Sequence, residues 1–125
     1  MPTLVSPRLS GAPVLIYHPD AAMAEGLRGL VHQVGRTAHM VDSIGTAFEY
    51  AEQRNPLSMA MICVGRSPHC TGLVWARTVR QINPMLPIVV LALDQSCPDD
   101  ESVTVRLQMP FQQDSCITLL RRYLH

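Results

Sequence analysis

The sequence contains no lysine, because all ten of its basic residues are arginines. A nucleotide-binding P-loop is therefore excluded, since its G-x-x-x-x-G-K-[ST] pattern requires a lysine. Long apolar segments are also missing: the longest run, residues 86–93, is far too short to cross a bilayer. Residues 1–12 lack the continuous apolar core of a signal peptide. We expect no membrane association and interpret residues 1–12 as a flexible lead.

The sequence also has few charged residues and no closely spaced pair of cysteines. Only 16% of the residues are charged and the formal net charge is zero, so the basic stripe of a nucleic-acid-binding domain is absent and direct nucleic-acid binding is not expected. No C-x-x-C pair occurs, which favours reduced thiols in a cytoplasmic protein and gives no reason to expect a metal or other cofactor. The four cysteines are Cys63, Cys70, Cys97 and Cys116.

What the sequence does contain is a regular alternation of short apolar runs with amphipathic segments. Strands are predicted at residues 14–17, 38–41, 57–64, 88–93 and 103–107. Helices are predicted after the first three strands, with Asp20, Ser43 and Thr71 as N-caps, and a last helix over residues 114–124. Gly35 closes the first helix.

This alternation predicts an α/β domain over residues 13–125. Right-handed βαβ units give a parallel sheet that is covered on both faces, and five strands suit the flavodoxin-like order 2-1-3-4-5. Only nine residues, 94–102, separate the fourth and fifth predicted strands, and Pro98 interrupts them. Because a helix of three turns needs about eleven residues, we expect the fourth helix to be short, distorted or absent.

Several residues at characteristic spacings resemble those of response-regulator receiver domains. Pro68 and the pair Gly72-Leu73 match the proline and the later glycine-leucine that follow the third strand of a receiver. Met109-Pro110-Phe111 stands where receivers have Lys-Pro-Phe. The resemblance covers residues 13–123 and implies the receiver fold, in which function lies at the carboxyl ends of the strands.

The same comparison of spacings indicates that the phosphoryl-transfer residues of a receiver are missing. A receiver needs an acidic pair for Mg²⁺, a nucleophilic aspartate, a hydroxyl and a lysine. Here His18 and Pro19 replace the acidic pair, and Asp20 stands one position late. The other three positions hold Val64, Ala92 and Met109. We predict no phosphotransfer and no enzymatic activity, with Val64, Ala92 and Met109 forming a packed apolar pocket floor.

A narrower resemblance links the chain to the N-terminal domains of FleQ-type flagellar regulators. The stretch 62–67 and the sequence Leu107-Gln108-Met109-Pro110 are similar to that group. The resemblance implies a phosphorylation-independent regulatory domain, attached in the full-length protein to an ATPase domain that works with the sigma-54 polymerase and to a helix-turn-helix. The alternatives are a stand-alone pseudo-receiver adaptor that binds a partner protein and a small-molecule sensor that uses the vacated pocket.

Four further residues could suggest a metal or nucleophilic site. His18, His39, His69 and Cys70 show no metal-ligand spacing, and the adjacent His69 and Cys70 lack an orienting carboxylate. Solvated or capping histidines and a loop thiol are the better interpretation.

A weak homodimer is the expected oligomeric state. A shortened fourth crossover would leave apolar side chains uncovered, and zero net charge offers little resistance to pairing. We expect Val103, Val105 and Leu119 to form the dimer face.

Overall fold

The computed structural model describes residues 11–53, 56–65, 71–93 and 100–124. They form five strands and four helices in strict βα alternation apart from the step between the last two strands. The strands are β1 (Val14–Tyr17), β2 (Ala38–Val41), β3 (Met59–Val64), β4 (Ile88–Ala92) and β5 (Val105–Gln108). The helices are α1 (Ala21–Gln33), α2 (Ile44–Glu52), α3 (Thr71–Ile82) and α4 (Gln113–Tyr123).

All five strands form one parallel sheet in the order β2-β1-β3-β4-β5, which confirms the predicted fold class. Val64 pairs in register with Ala92, and Ala92 with Gln108. The carboxyl ends of β3, β4 and β5 therefore lie side by side, so the topology brings the predicted pocket residues to one edge of the sheet.

The helices begin where the sequence supplies capping groups. The carboxylate of Asp20 accepts hydrogen bonds from the backbone N–H groups of Ala22 and Met23, and Ser43 accepts from Thr46 in the same way. These bonds satisfy backbone donors that would otherwise have no partner in the first turn. Past the end of α1, Gly35 adopts a positive φ of 82°, which a side chain would strain.

The core has two layers, one on each face of the sheet. Alternate strand residues such as Val14 and Met61 face α1 and α4, while Leu15 and Ile62 face α2 and α3. The buried Trp75 belongs to the second layer. Both faces of β3 and β4 are consequently buried along their whole length, as expected of central parallel strands.

Several predicted boundaries are wrong. Strand β5 begins at Val105 and not at residue 103, and β3 begins at Met59 and not at residue 57. The β5 error has a local cause, because the backbone N–H of Val103 donates to the carbonyl of Asp100 at 3.0 Å in a turn. Backbone bonding to β4 begins only at Thr104, whose N–H donates to the carbonyl of Ile88 at 2.8 Å.

The crossover between β4 and β5 is described only in part. Residues 94–99, where most of the expected short fourth helix would fall, lie outside the described residues. Residues 100–104 contain a turn at Glu101 and Ser102 and no helix. The carboxylate of Asp100 accepts a hydrogen bond of 2.6 Å from Arg77, which joins this segment to α3.

Candidate functional site: the carboxyl edge of the sheet

The carboxyl ends of β3 and β4 are filled by a dry apolar cluster, here called the apolar floor. Val64 is 1% exposed and Ala92 is fully buried. The backbone N–H of Leu93 donates to the carbonyl of Val64 at 3.2 Å, which closes this end of the sheet. A carboxylate or hydroxyl at either position would have to enter a close-packed hydrocarbon environment. The residues of the apolar floor are Val64, Leu73, Val90 and Ala92.

Gly72 allows α3 to close directly over this floor. A Cβ atom at Gly72 would lie 2.8 Å from Cγ2 of Val64 and 3.0 Å from the carbonyl oxygen of Cys63. Both distances are shorter than a carbon side chain tolerates, and the carbonyl oxygen belongs to backbone that cannot turn aside. The glycine that supports the receiver resemblance therefore has a local packing reason.

Met109 does not join the apolar floor, which corrects that part of the prediction. Its backbone N–H donates to the carbonyl of Ala92 at 2.8 Å, so the chain is close by. Its side chain, however, is partly buried against the core layer that contains Leu91 and Cys116. The Met109-Pro110 peptide bond is cis. The Gln108 side-chain amide donates to the Ala92 carbonyl at 3.2 Å, so a polar group lies where the apolar floor was expected to extend.

At the end of β1, His18 is buried, with 7% of its surface exposed. Its Nδ1 accepts a hydrogen bond of 3.0 Å from the backbone N–H of Asp20. Its Nε2 is buried without a partner in the described structure. Burial lowers the pKa of His18, and the nearby Asp20 carboxylate opposes this only in part. The ring is therefore held in its neutral form, as a capping histidine and not a solvated one.

The carboxylate of Asp20, one position after His18 and Pro19, is engaged in capping α1. Pro19 and Asp20 are both exposed. Within the four described ranges, no group of three histidine, cysteine or carboxylate side chains lies close enough to hold a metal ion. His69 and Cys70, the other candidates for a metal or nucleophilic site, lie outside the described residues, as does Pro68.

A cavity of about 550 Å³ opens beside His18, between β2 and the first turns of α1 and α2. We call it the β1–β2 groove. Apolar surface comes from Pro19, Ala24 and Met40, and the carboxylates Glu25 and Asp42 also line it. Two of the predicted pocket residues, His18 and Pro19, thus lie at an open groove, whereas Val64 and Ala92 lie in a closed cluster. No sequence pattern indicates this groove, because its walls come from segments that meet only in the folded chain.

A second feature missed by sequence reasoning is the arginine clasp, formed by Arg80 and the backbone around it. The guanidinium donates to the carbonyls of Pro84 at 2.8 Å and Leu86 at 2.7 Å. It also donates to the Ser102 carbonyl at 2.9 Å and the Thr104 hydroxyl at 3.2 Å. The clasp fixes the end of α3 to the segment before β5 and so holds Val103 near the apolar floor.

The predicted dimer face is wrong in one of its three residues. Leu119 is only 9% exposed and packs in the core layer with Cys116 and Leu120. Val105 is partly buried against that same layer, whereas Val103 packs against the opposite layer. The three residues do not share one surface, because Val105 and Leu119 lie on the face of the sheet that packs against α1 and α4, whereas Val103 lies on the face that packs against α2 and α3. The homodimer itself stays a prediction.

Comparison with known proteins clarifies the fold. No family profile and no curated protein sequence matches the chain. A CheY-like receiver domain from Methanospirillum hungatei JF-1 superposes with a TM-score of 0.75 at 12% identity, over 92% of this chain and 94% of that one. A CheY-like receiver domain from Methylobacillus flagellatus superposes with a TM-score of 0.74 at 21% identity, over 91% of this chain and 99% of that one. This chain has the receiver fold.

The receiver fold also occurs in larger proteins. NtrX from Brucella abortus, solved in complex with ADP, matches with a TM-score of 0.72 at 16% identity over 92% of this chain. The chain spans only 26% of the length of NtrX. None of the helices in the described ranges is long and apolar enough to cross a membrane.

Proposed function

We propose that this chain is a phosphorylation-independent, receiver-like regulatory domain that acts by protein–protein contact and has no enzymatic activity. The observation that carries the proposal is the apolar floor at the carboxyl ends of β3 and β4. Val64, at the expected nucleophile position, has no group that can accept a phosphoryl group, and Gly72 brings α3 against it. Ala92 likewise offers no hydroxyl. In the described part of this edge, neither Val64 nor Ala92 has a side-chain donor that could stabilise a transferring phosphoryl group.

The finer proposal is that the domain belongs to a FleQ-type transcriptional activator in the bacterial cytoplasm. It would set the activity or oligomeric state of an attached ATPase domain in flagellar or biofilm gene control. Support comes from the sequence similarity of residues 62–67 and 107–110 to that group and from the receiver fold, which NtrX carries as part of a longer chain. Reading the gene beyond His125 tests this directly: a P-loop is expected, and a stop codon would favour the adaptor alternative.

Phosphorylation is tested by intact mass. The domain is incubated with acetyl phosphate and Mg²⁺ beside a receiver domain that retains its aspartate. We expect the control to gain one phosphoryl group and this chain to gain none. A phosphoryl adduct on any carboxylate of this chain would contradict the proposal.

Oligomeric state is tested by sedimentation velocity over a concentration series. A weak homodimer is expected, and a monomer at hundreds of micromolar would reject it. The buried position of Leu119 makes a charge at that residue unsuitable as an interface test, since it would disturb the core.

A further inference from the structure

We propose that two copies of this chain pair through the free edge of β2, as antiparallel strands related by a twofold axis at His39. The proposal rests on the weak homodimer of the proposed function and names the surface that forms it. In the described part of the chain, β2 has β1 as its one strand neighbour. The free side of such an edge strand presents unpaired N–H and C=O groups, to which another strand can bond.

The outward-facing backbone groups of β2 are those of Ala38 and Met40. The carbonyl of Thr37 accepts a hydrogen bond of 2.9 Å from the N–H of Val14, so the backbone of Thr37 faces β1. Alternate residues of a strand turn their backbone groups to opposite sides, and His39 therefore also faces β1. Ala38 and Met40 turn theirs away from β1, and no other strand in the described ranges bonds to them.

Strand β2 lacks the features by which proteins usually protect an edge strand, namely charged residues, proline or a bulge. Its sequence is Ala-His-Met-Val, and its pairing with β1 runs without a bulge. The two middle residues, His39 and Met40, are exposed. The other edge strand, β5, carries the exposed and charged Arg106 at its second position. Of the two edges of the sheet, β2 is therefore the one more open to pairing.

Charge complementarity identifies a second copy of this chain as the partner. Arg36 stands three residues before His39, and Asp42 stands three residues after it. In an antiparallel pair centred on His39, each Arg36 is opposite Asp42 of the other copy, and opposite charges across two strands attract. The outward-facing Ala38 is then opposite Met40 of the other copy. A pair centred on Ala38 or on Met40 would also bond, but it would place no opposite charges together.

The side chains around the proposed axis are compatible with this register. His39 would occupy a non-hydrogen-bonded position, where opposite Cα atoms are about 4.5 Å apart. Its ring stacks on that of Tyr50 with 4.4 Å between the centroids, so each copy brings a stacked pair of rings to the axis. The guanidinium of Arg36 lies near Gly11, and its five N–H donors can bind more than one acceptor.

The first test exchanges the two charges and measures dimerisation by sedimentation velocity. Asp42→Arg and Arg36→Asp each place like charges opposite one another, and each should weaken the homodimer about tenfold. In an equimolar mixture of the two variants, opposite charges face each other again, so a heterodimer should form with the affinity of the unmodified chain. Glu101→Arg makes the same charge change in the exposed turn before β5 and should have no effect. Melting temperatures establish that each variant is folded.

The second test locates the axis and does not depend on the charge variants. In a background with Cys70 and Cys97 changed to serine, His39→Cys should form an intermolecular disulfide under mild oxidation. Two Cα atoms about 4.5 Å apart lie within the range that a disulfide spans. Met40→Cys would be opposite Ala38 of the other copy and about 7–8 Å from its own equivalent, so it should form a disulfide far more slowly.

The outcomes separate this surface from the other proposals. A monomer at hundreds of micromolar would overturn both the homodimer and the β2 surface. A homodimer that Asp42→Arg and Arg36→Asp leave unchanged would overturn the surface alone. Absence of a heterodimer in the mixture, or a disulfide that forms as fast with Met40→Cys as with His39→Cys, would overturn the register and with it the proposal. The acetyl phosphate experiment is independent, so phosphorylation independence can fail separately.

Discussion

The two halves of the sheet's carboxyl edge are built in opposite ways. Around β3 and β4, the positions of Val64 and Ala92 are sealed in hydrocarbon, with α3 closed over them at Gly72. Around β1 and β2, His18 lies beside an open groove lined with carboxylates. One edge of a sheet can thus hold a packed apolar cluster at one place and a buried histidine beside an open groove at another.

The difference follows from the position of each strand in the sheet. Strands β3 and β4 are buried on both faces, so a small apolar residue at their ends is soon covered. Strand β2 is at the edge and has a neighbour on one side only. Two of its four residues, His39 and Met40, are exposed, and the space beside it remains open. The neighbours of a strand therefore decide whether the residues at its end are covered by core or lie beside a cavity.

The largest expected effect comes from placing a carboxylate in the apolar floor. Val64→Asp should lower the free energy of unfolding by about 3 kcal/mol or more at pH 7, because a buried carboxylate has no partner there. The same change in the groove, Met40→Asp, should cost less than about 0.5 kcal/mol, because that site is exposed. Urea unfolding of both variants measures the difference. Equal decreases in the free energy of unfolding would show that the two regions do not differ in this way.

The deficit of Val64→Asp should also depend on pH. Burial would raise the folded-state pKa of the new carboxyl above its unfolded value, so the folded state would bind the proton more tightly. Stability lost at pH 7 should then be partly regained as the pH falls towards 5. Val64→Asn lacks a titrating group and should show no such recovery.

The second effect tests the tight closure of α3. Gly72→Ala should cost about 1–3 kcal/mol, because the new methyl group would overlap the side chain of Val64 and the carbonyl of Cys63. Gly29→Ala on α1 meets no atom within 4 Å and should stabilise the protein by up to about 1 kcal/mol. Combining Gly72→Ala with Val64→Ala should recover part of the loss, and strict additivity in this double-mutant cycle would disprove the contact.

The third prediction concerns the arginine clasp, which holds Val103 near the apolar floor. Arg80→Lys should cost about 1–2 kcal/mol, since a single ammonium cannot reach the carbonyls of Leu86 and Ser102 together. Hydrogen exchange at Val103 and Thr104 should accelerate. Arg77→Lys, at a pair whose arginine is 58% exposed, should cost less than about 1 kcal/mol. Indistinguishable losses for the two variants would show that the clasp adds nothing beyond a surface pair.

The smallest effect is the pH dependence contributed by His18. Its folded-state pKa is lowered from 6.5, mainly by burial, so the unfolded chain binds the proton more readily. The stability that neutral His18 contributes is present above pH 6.5 and is lost as the pH falls below it. The loss is about 1.4 kcal/mol per unit of pKa difference. His18→Asn keeps an acceptor for the Asp20 N–H, and its free energy of unfolding should fall less steeply as the pH is lowered. Urea unfolding at several pH values measures this, and an equal fall in the two proteins would contradict the prediction.

The sequence was sufficient for features set by local chemistry. The bounds of β1 and β2, the caps at Asp20 and Ser43 and the turn at Gly35 all follow from neighbouring residues, and the structure confirms them. The strand order also followed, because parallel βα units of this length leave few arrangements.

Features that depend on distant contacts could not be predicted. The arginine clasp joins Arg80 to the carbonyl of Ser102, which is twenty-two residues later in the chain. The burial of Leu119 depends on how α4 settles on α1 and the sheet, and the β1–β2 groove depends on three segments meeting. Met109 was expected beside Val64 because both lie at strand ends, yet side chains that leave the same edge can enter opposite core layers.

The two buried thiols, Cys63 and Cys116, can report how often one layer of the core opens. Cys63 on β3 and Cys116 on α4 lie in the same core layer, and burial raises the pKa of each to about 11. At neutral pH only about one thiol in ten thousand is ionised at any instant, and alkylating reagents act on the thiolate. Because both thiols are also buried, we expect alkylation to require an opening of this core layer. In a variant with Cys70 and Cys97 changed to serine, the rate of alkylation would record how often that layer opens.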